Sequence, residues 1–85
     1  TALHKAARNG RMGVVELLVE RKANIDAIDA SCSTPLHAAC WKGREKVVRR
    51  LLELRADPVT VSEGGWSPVH FAAYRGHADV LSVLL

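Results

Sequence analysis

The chain is short of the features that define most small folds. Its two cysteines, Cys32 and Cys40, are too few for the disulfide framework of small secreted domains, and no basic start followed by an apolar stretch resembles a signal peptide. A reducing, intracellular setting is therefore favoured, the cytoplasm first, with the nucleus or the cytosolic face of a membrane as other compartments. No apolar run approaches the roughly 20 residues needed to cross a bilayer. The only aromatic rings outside histidine belong to Trp41, Trp66, Phe71 and Tyr74, so the interior has to be filled by aliphatic side chains. No nucleophile, base and orienting group occur together, and no glycine-rich loop opens a helix in the phosphate-binding pattern. Catalysis and a cofactor both lack support, and the chain reads as no enzyme.

What is present is 48% hydrophobic and 25% charged residues over 85 positions, the balance of a folded chain and not of a disordered one. One small domain over 1–85 is expected, near the lower limit for a self-sufficient core.

Comparing the chain with itself gives a period of 33 residues. Thr1-Ala2-Leu3-His4 returns as Thr34-Pro35-Leu36-His37 and as Ser67-Pro68-Val69-His70. Gly10, Gly43 and Gly76 follow at one offset. Aliphatic blocks come next: Val14-Val15 with Leu18-Val19, Val47-Val48 with Leu51-Leu52, Val80-Leu81 with Leu84-Leu85. Units of 1–33, 34–66 and an incomplete 67–85 result.

One unit can be read physically. Thr34 can accept hydrogen bonds from the free amides of a helix start, and Pro35 has no amide to waste, so the pair reads as N-cap and first helical residue. Gly43 can take the left-handed conformation that ends a helix, which sets a first helix of about Pro35 to Lys42. Val47, Val48, Leu51 and Leu52 make one stripe of a second helix from about Arg44 to Leu54. Ala56-Asp57-Pro58 stops it, and the stretch to Gly65 reads as a hairpin-like loop.

These residues resemble the ankyrin repeat, a 33-residue unit with a Thr-Pro-Leu-His signature, and the resemblance covers the whole chain. It implies an all-α solenoid of antiparallel helix pairs joined by β-hairpin-like loops, and a function in binding other proteins. Some positions depart from the family pattern. Lys22 and Arg55 stand where glycine is usual, and Cys32 replaces the loop-tip glycine that Gly65 keeps, so strained or reshaped turns are expected there. Asp26 and Val59 occupy the position that carries a hydroxylated asparagine in some members, so that modification is not expected. The chain opens at a helix cap and stops within a helix. It therefore reads as a fragment whose apolar ends are covered by further repeats or by a partner.

Three evenly spaced histidines, His4, His37 and His70, invite a metal site. Stacked layers lie about 10 Å apart, too far for one ion bound at about 2.0 to 2.1 Å, so each histidine is expected to bond a neighbouring loop and tie repeat to repeat. Cys32 falls on a loop tip and Cys40 on a buried face, a structural or tolerated pair and not a redox one. Between Lys42 and Arg55, six basic residues face two acidic ones, a local charge of +4. This run reads first as a solvated outer face supported by Glu–Arg pairs, and second as a surface for an acidic protein or anionic lipid. Nucleic acid is disfavoured because no aromatics interleave with the run.

In the ankyrin family the end of each first helix and the loop tips line a concave surface that meets partners. The corresponding residues here are Arg8, Asn9, Trp41, Lys42, Tyr74 and Arg75, with Ile28, Ala30, Ser31, Ser33, Val61, Glu63, Gly64 and Trp66 on the loops. Trp, Tyr and Arg are enriched at binding hot spots, which singles out Trp41, Trp66 and Tyr74 flanked by Lys42 and Arg75. The alternative for both tryptophans is simple packing between adjacent loops. A structural spacer near a membrane is the competing functional reading.

Overall fold

A computed structural model describes every residue from Thr1 to Leu85. Six helices follow one another: α1 (Ala2–Arg8), α2 (Met12–Glu20), α3 (Pro35–Lys42), α4 (Glu45–Glu53), α5 (Pro68–Arg75) and α6 (Ala78–Leu84), with no strand between them. The start of α3 follows the capping logic of its sequence. Thr34 Oγ1 accepts the His37 amide at 3.3 Å, and His37 Nδ1 accepts the Thr34 amide at 3.1 Å. This is a capping box with histidine in the place usually held by Glu or Gln. Thr1 with His4 and Ser67 with His70 repeat it. Gly43 ends α3 at φ 72° and Gly76 ends α5 at φ 74°, both left-handed.

The outer helices end differently. In α4 the Ala56 amide reaches the Leu51 carbonyl and the Arg55 amide the Leu52 carbonyl, and α2 repeats the pattern with Ala23 on Leu18 and Lys22 on Val19. These are Schellman closures, which want glycine at the left-handed position. Here Lys22 and Arg55 hold φ of 71° and 74°, and Cys32 holds 59°, so the strain expected at all three departures is present in the backbone.

α1, α3 and α5 pack side by side as one layer, and α2, α4 and α6 lie behind them, each antiparallel to the helix before it. Ala6, Ala39 and Ala72 are buried at equivalent positions and let the inner helices approach closely. Leu3, Leu36, Leu51, Val15, Val48 and Val80 fill the space between the layers. Each such aliphatic side chain contributes about 1.5–3 kcal/mol on burial. Two loops stand off the end of the inner layer as matching turns: the Asp29 amide donates to Ser33 O at 3.0 Å, and the Ser62 amide to Trp66 O at 2.8 Å. The Glu63 amide joins the loops through Ser31 O at 2.8 Å.

Candidate partner-binding site

Each junction between helix pairs is fixed by hydrogen bonds to backbone carbonyls. His4 Nε2 lies 2.6 Å from Ser33 O, and His37 Nε2 lies 2.8 Å from Trp66 O. A carbonyl can only accept and the Thr34 amide can only donate, so His37 is held as the neutral tautomer with its proton on Nε2. Burial also holds the His37 pKa below the usual histidine value, against the opposing pull of its Trp66 bond and of Asp29. The expected tie is therefore present for His4 and His37. His70 keeps its capping bonds to Ser67, but its Nε2 reaches no loop carbonyl.

A second set of ties lies at the opposite ends of the inner helices, and sequence reasoning missed it. Arg44 Nε donates to Arg8 O at 2.9 Å, and His77 Nε2 donates to Trp41 O at 2.9 Å. Arg44 was expected among the outward basic residues; its guanidinium instead turns back onto the first helix pair. Both donors follow a glycine by one residue, at equivalent positions, and both press on the glycine of the preceding pair. A Cβ on Gly43 would meet the His77 ring at 2.6 Å, and one on Gly10 would meet Arg44 Cδ at 3.2 Å.

Because these ties use backbone carbonyls, the side chains of Trp41 and Trp66 are left to form a surface. Trp41 and Tyr74 stack with centroids 5.9 Å apart and planes 15° apart, while Trp66 meets Tyr74 edge to face at 5.5 Å. Arg75 Cζ lies 4.6 Å from the centroid of the Trp41 ring. With Phe71, these three rings line a cleft of about 340 Å³. A larger cleft of about 550 Å³ shares Trp41 and Phe71 as walls and adds Ser31, Ser33, Ser62, Glu63 and Gly64.

The expected residues thus divide. Ser31, Ser33, Trp41, Glu63, Trp66, Tyr74 and Arg75 gather around the two clefts. Lys42 is exposed at the end of α3 and makes no ion pair. Arg8 contributes its carbonyl to the Arg44 tie, and Asn9 turns to a separate cleft with Lys5 and Arg11. Phe71 was not anticipated. The available signal was that it stands where the other units have Lys5 and Ala38, a position that does not repeat. Both tryptophans pack against neighbouring rings; Trp41 is half-buried, whereas Trp66 is 38% and Tyr74 69% exposed.

Two arginines of the basic outer helix are internally paired. Arg49 binds Glu45 at 3.0 Å, and Arg50 binds Glu16 at 3.0 Å and Glu53 at 3.2 Å. Exposed pairs of this kind contribute at most about 1 kcal/mol. Cys40 is buried, which pushes its thiol up to about 12, and Cys32 is exposed. No helix is long and apolar enough to cross a membrane.

A stack of helix pairs tied loop to loop, with an open aromatic face, belongs to the helical-repeat solenoids. The family follows from the comparisons: a profile described as "Ankyrin repeats (3 copies)" matches residues 1–62, and one described as "Ankyrin repeats (many copies)" matches residues 42–85. The chain belongs to the ankyrin-repeat family. The crystal structure of the human ASB11 ankyrin repeat domain is similar over 99% of this chain, with a TM-score of 0.92 and 30% sequence identity. The match spans 38% of that chain's length. A search of curated proteins gave no match. Ankyrin repeats are generally protein–protein interaction modules and are typically non-enzymatic.

Proposed function

We propose that this chain is a recognition module of a larger intracellular protein and holds a protein partner on its concave face. Trp41, Trp66 and Tyr74 serve as anchors, and Lys42 and Arg75 as charged contacts. The observation that carries this reading is the aromatic cleft itself. Four rings converge on one cleft, Phe71 packing against the core beneath it, and Trp66 and Tyr74 stay open to solvent. Rigid aromatic surface beside an arginine is the composition of a binding hot spot. Ser31, Ser33 and Glu63 supply polar contacts at the rim; Arg8 and Asn9, which lie apart from the clefts, extend the surface toward the first helix pair. The competing spacer reading, in which the outer helix meets acidic proteins or anionic lipid, is weakened because Arg49 and Arg50 already have carboxylate partners.

A photo-crosslinking residue in place of Tyr74, on the concave side, should capture a discrete partner in cells, and the same residue in place of Arg49 should not. Replacing Trp41 and Trp66 by Ala should then weaken capture by more than about 2 kcal/mol without unfolding the stack. Capture from both faces alike, or capture indifferent to the tryptophans, removes the concave-face reading.

A further inference from the structure

The two clefts share two walls and differ in chemistry. The smaller has aromatic side chains only. The larger has aromatic walls, Trp41 and Phe71, beneath three serines and one carboxylate. Glu63 is the only charged residue on its lining, is exposed, and makes no ion pair or side-chain hydrogen bond within the chain. Its backbone is nonetheless fixed, because the Glu63 amide donates to Ser31 O across the two loops. A carboxylate on the lining of a cleft with two aromatic walls fits a side chain with an apolar stem and a cationic head. It stands out against a chain whose net charge is +3.

We infer that the partner presents a short segment carrying a lysine or arginine next to an apolar residue. The basic stem lies against Trp41 and Phe71 with its head at Glu63, and the apolar side chain enters the neighbouring cleft between Trp66 and Tyr74. This deepens the concave-face reading and rests on it. An acidic segment could meet Arg75, which lies over Trp41, and Lys42 beside it, but within the larger cleft the one charged group is the Glu63 carboxylate, and like charge disfavours an acidic side chain there.

The test is a selection from a random peptide display library against the full-length protein. Binding of the recovered peptides is then measured to the wild type, to Glu63→Lys and to the Trp41→Ala, Trp66→Ala pair. Recovered peptides should be enriched in Lys or Arg beside an apolar residue. They should lose at least about tenfold in affinity with Glu63→Lys, and recover when their basic residue is changed to Glu, since hydrogen bonds to charged groups are typically strong enough for that ratio. Peptides that need both tryptophans but bind Glu63→Lys unchanged overturn the basic-segment inference and leave the concave-face reading standing. Peptides indifferent to the tryptophans, or no binders at all, overturn both. Glu63 is exposed in a loop, so the variant keeps the fold, and an unchanged far-UV circular dichroism spectrum checks it.

Discussion

The junction between the first and second helix pairs and the junction between the second and third are joined in the same way and show different faces. In each, a capping histidine donates to the loop ahead and a residue after a glycine donates back to the inner helix behind. At the first junction the returning donor is the flexible Arg44, and the side chains whose carbonyls it and His4 engage are Arg8 and Ser33. At the second it is the rigid imidazole of His77, and the side chains are Trp41 and Trp66, which meet Phe71 and Tyr74. A tie made to a carbonyl places no demand on the side chain that bears it. The scaffold can therefore repeat while the surface changes, and the second junction has become the aromatic one.

The largest effect should come from removing a buried tie. His37 is fully buried, and His37→Ala leaves the Trp66 carbonyl and the Thr34 amide unpaired as well as a void, a loss of about 3–4 kcal/mol in urea unfolding. His4→Ala, at a site 8% exposed, should cost about half as much. Equal losses would show that burial does not separate the two junctions. Acid acts on the same bond. Because the folded pKa of His37 is depressed, the unfolded chain binds the proton more readily. Its contribution is fully present above the unfolded value of about 6.5 and is lost as the pH falls toward and through the lower folded value. Unfolding midpoints in urea across that range should fall with pH in the wild type, and less steeply in His37→Ala.

The glycines test the other tie. Gly10→Ala and Gly43→Ala both force a left-handed alanine, but at Gly43 the new Cβ runs into the His77 ring, whereas at Gly10 it meets only the movable Arg44 side chain. Losses of about 3 kcal/mol and about 1–2 kcal/mol are expected, respectively. A cost at Gly10 as large as that at Gly43 would contradict the contrast between a rigid and a flexible donor.

The smallest effects are stabilising. Lys22→Gly and Arg55→Gly relieve left-handed strain at the two Schellman closures, and each should raise stability by about 1 kcal/mol by thermal melting. No gain at either position would mean that the side chains repay the strain by contacts of their own.

Much of this was legible in the residues. The 33-residue period, the Thr-Pro caps and the terminating glycines placed the helices. The second helix, expected over Arg44–Leu54, forms as Glu45–Glu53 with those two residues as its caps. Trp41, Trp66 and Tyr74 stood out because they interrupt a repeat. Phe71 also interrupts the repeat, where the other units have Lys5 and Ala38, but it lies before the end of its helix and so outside the positions that the resemblance assigned to the concave surface. The returning ties of Arg44 and His77 were invisible because they join residues 36 positions apart and differ in type from one unit to the next.

Local structure is written along the chain, because caps, left-handed glycines and the aliphatic stripe all act within a few residues of one another. Which side chains are left over to form a surface depends instead on how the helix pairs stack. Asn9 and Lys42 hold equivalent places in the period, yet Asn9 turns to a cleft of its own while Lys42 points free, and Trp41, beside Lys42, enters the aromatic cleft. What a side chain faces depends on the unit stacked against it, and that neighbour is supplied by another stretch of the chain.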